Sequence, residues 1–228
     1  MDFFGPEPAD LAEVRSLNIA FLEYLRAAPD GQLLQQLPAS LRPAVVALTD
    51  RQVQRLAAVP FLLLTMRESD HSFWAQLFGD RPMRDLFASA PIVVDELGRI
   101  TSAVLGFVWQ LSRRNPYATR LVCGGSLDWC EQLAACTLLR LLQRAVDHQD
   151  LIEIRFAGNI EFWHRLLGAG LSSEPGVRSA AHLCALQTVL TSRELTSGSR
   201  LRAAACHSAV PTMSVREKPI RQKDEQTR

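Results

Sequence analysis

The chain has 228 residues, 47% of them hydrophobic, enough for one large domain or two of about 100 residues each. Its net charge of +1 excludes a protein drawn onto nucleic acid or membrane by bulk charge alone. The balance is uneven, with 17 basic against 20 acidic side chains over residues 1–191 and 8 against 4 from Ser192 onward.

The opening "MDFFGPEPAD" has no basic stretch followed by an apolar run, so no secretory signal is expected. Asp10–Arg26 carries apolar residues at 11, 14, 17, 21, 22 and 25, the spacing of one helical face. Pro29, Pro38 and Pro43 then punctuate the chain, which predicts turns or short helices. "FLLLTMR" is expected as a short strand, and "SFWAQLF", Ser72–Phe78, as a short closing helix. A second long helix is predicted over Asp95–Arg113, ahead of Pro116. Ser126, after Gly124-Gly125, is placed to cap a helix running to about Val146. "LIEIRF", Leu151–Phe156, alternates apolar and polar residues like a strand, and "EFWHRLL" repeats the Phe-Trp helix. A last helix is predicted from Pro175, where proline suits the first turn, to Leu190. Residues 196–228 lose all periodicity and are expected to be a disordered basic tail.

The most apolar windows are far shorter than the ~20 residues that span a bilayer. Five cysteines, odd in number and without scaffold spacing, suit a reducing cytoplasm. The expectation is a soluble cytoplasmic protein.

The two Phe-Trp pairs belong to a longer internal match. Trp74 and Trp163 align at an offset of 89. "LTDRQVQRLAAVPFLLLTMR" lies against "CTLLRLLQRAVDHQDLIEIR" at 88, pairing Thr49 with Thr137, Val53 with Leu141, Ala57 with Ala145, Leu64 with Ile152 and Arg67 with Arg155. Upstream the offset is 86, pairing Leu11 with Leu97, Val14 with Ile100, Phe21 with Phe107 and Leu25 with Leu111. Colinear blocks with small drifts are what a duplicated domain produces. The predicted fold is mainly α, with two tandem related helical units (residues 1–90 and 91–195), a short extended segment in each, and the tail at 196–228.

Reaction chemistry finds little support. Cys123, Cys130 and Cys136 are spaced C-x6-C and C-x5-C, without the short paired spacing of structural zinc sites, and buried thiols are expected instead. His182 and Cys184, two apart on one helix, diverge, and Cys206-His207 lies in the tail. "CGGSLD" matches neither a nucleophile elbow nor a phosphate loop and reads as a capped helix start. Asp70-His71 and Asp147-His148 are adjacent pairs that do not face each other, with no nucleophile beside them. Trp74, Trp109, Trp129 and Trp163 sit among apolar neighbours and are expected in the core or at an interface. No enzyme, metal or cofactor is expected.

The stretch Leu133–Phe156, "LAACTLLRLLQRAVDHQDLIEIRF", resembles the FlhD family, the D subunit of the bacterial flagellar master transcriptional activator. The matching positions are Leu133, Ala134, Ala135, Thr137, Leu138, Ala145, Gln149, Arg155 and Phe156, approached through "ATRLVCGGS". Coverage is about residues 95–195, with residues 10–78 as a weaker copy lacking the last helix. The family can carry a cysteine where this chain has Ile152-Glu153-Ile154, so an intersubunit disulfide is not implied. The resemblance implies a transcriptional co-activator that works in a multiprotein complex with a C-type flagellar subunit, which supplies much of the DNA contact. It makes Asp95–Arg113 similar to a dimerising helix, so Phe21, Leu25, Phe107, Leu111 and Trp109 are the expected interface positions. Self-association, or an intramolecular pseudo-dimer of the two copies, follows. It also places DNA contact near the last helix, where Arg178 and His182, one turn apart, and Arg193 beyond them are the candidates. On that reading Val177, Ala181, Cys184 and Thr188 face inward. The alternative is a helical adaptor that binds partner proteins and not DNA.

Overall fold

The computed structural model describes residues 5–79, 95–146, 148 and 150–207, with side chains described up to residue 191 apart from residues 144 and 146. The first repeat contains α1 (Pro8–Ala27), α2 (Gln32–Gln35), α3 (Arg42–Val46), α4 (Asp50–Leu56), β1 (Leu64–Thr65) and α5 (His71–Phe78). The second contains α6 (Glu96–Arg114), α7 (Pro116–Cys123), α8 (Leu127–Ala135), α9 (Leu138–Val146), β2 (Glu153–Ile154) and α10 (Ile160–Leu167). A 3-10 turn at Ala169–Leu171 leads into α11 (Pro175–His207). The protein is therefore mainly helical, built of two related units with a short strand in each. By contacts, the described residues as far as Arg193 form one compact unit. Among the described residues no helix is long and apolar enough to cross a membrane.

The two long helices form because an apolar stripe can be buried along one side of each. In α1 the inward row is Val14, Leu17, Asn18, Phe21, Leu22 and Leu25; in α6 it is Ile100, Thr101, Val104, Leu105, Val108, Leu111 and Ser112. α1 and α6 pack on each other. They run antiparallel, since Asp10 at the start of α1 pairs with Arg114 at the end of α6. At the other end, burial and then the nearby Asp95 and Glu96 charges raise the Tyr24 pKa.

The helix ends define the register between repeats. Ala28 N–H donates to Tyr24 O, and Asn115 N–H donates to Leu111 O, so the last turns correspond at an offset of 87. That register superimposes most of the buried rows, matching Phe21 with Val108 and Leu17 with Val104. The expected offset of 86 is one residue short: it aligned Phe21 with Phe107, but Phe107 is only half-buried.

The predicted helix from Ser126 to Val146 is broken. Cys136 is extended (φ −75°, ψ 155°), and Thr137 starts a new helix, its hydroxyl accepting from Arg140 N at 3.4 Å. The break frees the Cys136 carbonyl, which accepts from the Trp109 indole at 2.8 Å. Thr49 caps α4 in the same way, accepting from Gln52 N at 3.3 Å. The Thr49–Thr137 match is thus a repeated helix cap. α11 likewise runs beyond the expected Leu190 to His207, while residues 208–228 of the expected tail lie outside the described residues.

Candidate functional site

The two repeats meet at a seam built from short, locally determined pieces. β1 and β2 pair antiparallel, Leu64 with Ile154 and Thr65 with Glu153. Just beyond each strand one residue adopts the left-handed region, Arg67 at φ 56° and Phe156 at φ 50°. A non-glycine residue there is uncommon and requires surrounding contacts to hold it. The same contacts recur in both repeats. The Trp74 indole donates to the carbonyls of Met66 and Arg67, each at 3.1 Å, and the Trp163 indole donates to Arg155 O at 3.0 Å. Arg67 lies over the Phe73 ring at 4.5 Å, and Phe156 meets Phe162 edge-on at 5.0 Å. Asp70 and Asn159 cap the two Phe-Trp helices, each accepting from the backbone three residues on at 3.0 Å. All these positions correspond at an offset of 89.

Within the strands the offset is 88, and the pairing is reciprocal. Thr65 corresponds to its own partner Glu153, and the buried Leu64 and Met66 correspond to the buried Ile152 and Ile154, so the ladder is symmetric about the Thr65–Glu153 pair. This is the pattern of an isologous, two-fold contact. Other side chains cross the seam in both directions. The helix α5 packs on the second repeat, with Trp74 against Trp129 at 5.2 Å and Phe73 against His148 at 5.1 Å. Arg140 of α9 holds its end by donating to Phe78 O and Gly79 O at 2.8 and 2.7 Å. In return Phe162 of α10 meets Phe61 at 6.2 Å, and Arg55 of α4 donates to Leu171 O at 3.0 Å.

Charge gathers along the same seam. Arg67 pairs with Asp70 at 2.7 Å, Asp150 at 2.8 Å and Glu153 at 4.0 Å. The Asp70 carboxyl is held at about 2 by the Phe73 N–H, then by the Ser72 hydroxyl and Arg67. Deeper in, Arg155 is 5% exposed and pairs with Glu68, also 5% exposed, at 3.2 Å. Its guanidinium also donates to Leu62 O, Leu64 O and Cys123 O at 2.6, 2.8 and 2.6 Å. The last acceptor ends α7, where the helix dipole favours a cation. The other Glu68 oxygen accepts from the Thr65 hydroxyl. Asn18, fully buried, donates to Ala57 O and Phe61 O and accepts from Leu63 N, tying the approach to β1.

Of the expected interface residues, Phe21, Leu25 and Leu111 are buried, in the rows along which α1 and α6 meet. Phe107 and Trp109 are half-buried against the core. The last helix is rotated from its expected orientation. Ala181, His182, Ala185 and Val189 face inward, whereas Val177 is 47% and Leu183 63% exposed, and Cys184 is exposed. His182, expected on the surface, is 7% exposed, its Nε2 3.3 Å from Gly170 O. The small residues Ala181 and Ala185 let the helix lie close, and the carbonyl gives the ring a partner. Burial lowers the His182 pKa, against the Gly170 hydrogen bond and with help from Arg178. Arg178 is half-buried and donates to Ser172 O at 2.8 Å. The Arg193 side chain lies outside the described residues. Cys123 and Cys130 are buried and Cys136 is half-buried; among the described residues no three His, Cys, Asp or Glu side chains gather as a metal would need.

The buried seam residues Arg155, Glu68 and Asn18 were not singled out as site residues by sequence reasoning. Only Asn18 left a usable signal, a polar residue on the inward row of an apolar helix face. No family model matches the chain, and comparison with curated proteins and with solved structures also finds no match.

Proposed function

We propose that this chain is a protein-binding regulatory subunit: a single-chain pseudo-dimer of FlhD-like repeats that works in a cytoplasmic multiprotein complex on flagellar or related promoters. The observation that carries this reading is the reciprocal pairing across the seam, in which each repeat supplies the surface that a second subunit would otherwise supply. The flagellar and transcriptional setting rests on the sequence resemblance over residues 95–195. DNA contact comes through a C-type partner subunit, because the charge balance is near neutral and the last helix turns His182 inward.

The inward His182 and the engaged Arg178 also favour a second reading, a helical adaptor that binds proteins and never DNA. A gel-shift titration at two salt concentrations, with and without a C-type subunit, separates the two. The first reading expects no shift by the chain alone and a salt-sensitive, sequence-specific shift with the partner. Capture of the partner without any effect on DNA would leave the adaptor.

A further inference from the structure

The seam is two-fold in its backbone but not in its buried charges. Position 66 of the first repeat corresponds to position 155 of the second, since each directly precedes the left-handed residue of its repeat and its carbonyl accepts a Trp indole. Position 68 corresponds to position 157 by the same offset. The first repeat carries Met66 and Glu68, and the second carries Arg155 and Ala157. Each repeat therefore holds one half of the ion pair, and the pair is complete only when unlike repeats meet.

We infer that Arg155 and Glu68 are a specificity pair that directs the first repeat to the second and opposes pairing of either repeat with its own kind. This rests on the single-chain pseudo-dimer reading and adds the residues that choose the partner. In a pairing of two second repeats, each Arg155 would find the carbonyls corresponding to those of Leu62 and Leu64, at residues 150 and 152. It would meet Ala157 in place of the carboxylate, and two buried guanidinium groups would lie near one axis. In a pairing of two first repeats, each Glu68 would face Met66, leaving a buried carboxylate without its cation. A buried charge deprived of its partner is strongly unfavourable, whereas an apolar pair of similar volume is tolerated. Discrimination therefore comes from the penalty on the wrong pairing as much as from the attraction in the right one.

The test uses full-length chains carrying Glu68→Ala or Arg155→Met, each substitution borrowing the residue its sister repeat has at that position. Chains are refolded from urea singly or as an equimolar mixture, and mass is read by light scattering alongside the unfolding midpoint. Wild type and the double variant Glu68→Ala/Arg155→Met are expected to refold as monomers. Each single variant should unfold at lower urea. The mixture should yield a heterodimer of twice the mass with a midpoint restored toward wild type, since Glu68 of one chain now meets Arg155 of the other. If a single variant is insoluble alone, recovery of soluble heterodimer on co-refolding is the same supporting result. A mixture that keeps the masses and midpoints of its components, or stays insoluble, overturns the inference. A wild-type chain already of twice the monomer mass overturns the single-chain reading beneath it instead.

Discussion

Gly125 lies so close to Trp129 that an added Cβ would stand 2.1 and 2.6 Å from two ring carbons. The indole is buried in the core, so neither side can give way freely. Gly125→Ala is expected to cost about 1–3 kcal/mol by urea denaturation, the range for overpacking a filled site. Glu68→Ala and Arg155→Met should each cost about 3–5 kcal/mol, because each leaves a buried charge alone; the double variant should recover the part due to the lone charge and keep the loss from the carbonyls that Arg155 no longer serves. His182 sets a pH dependence. Its folded pKa lies below the ordinary 6.5, so between those values the unfolded chain binds more protons than the folded one. Stability from this group is complete above 6.5 and falls as pH drops through the window towards the folded value. His182→Gln should flatten the urea midpoint across that window. Asp70 acts separately, its contribution present above 3.8 and lost as pH falls towards about 2.

Among the elements, the unit of strand, left-handed residue, cap and Phe-Trp helix occurs twice, and its two tryptophans occupy equivalent places. Trp74→Phe and Trp163→Phe each remove a donor from buried carbonyls and should cost about 1–3 kcal/mol apiece, similar in both repeats. A clear difference between the two would show that the repeats are not equivalent there. This unit was legible in the sequence because Phe-Trp is a distinctive pair and its helix has a regular apolar period. The long helices α1 and α6 were legible within a residue or two at their ends for the same reason. Their mutual register was not, since the identical letters Phe21 and Phe107 drew the match one residue away from the buried correspondence of Phe21 with Val108. The break at Cys136 is not legible because the leucine period continues across it, and only the Thr137 cap marks the new start. The rotation of α11 is not legible because a histidine in a helical pattern suggests a surface position, although a ring with one carbonyl partner can be buried. Arg155 was matched as a motif letter, and nothing in one sequence indicates that an arginine will find four oxygen partners inside the protein.

On the scale of the whole molecule, the proposed pseudo-dimer has one chain do the work of two subunits. The reciprocal β1–β2 pairing, the exchange of Phe-Trp helices and the antiparallel α1–α6 contact all follow from two related sequences meeting around one axis. The first consequence of that proposal is an expected solution mass of 25.4 kDa at every concentration, since the surface that would recruit a second subunit would already be used. A more direct measurement addresses the pairing itself. Thr65 and Glu153 are Cα partners in the strand register, and directly opposed residues lie within reach of a disulfide. A full-length variant carrying Thr65→Cys and Glu153→Cys is oxidised mildly, run on a non-reducing gel and mapped by peptide mass. The account predicts a link between positions 65 and 153 within one chain, at monomer mobility. A link between chains, or no link between these positions, would contradict it.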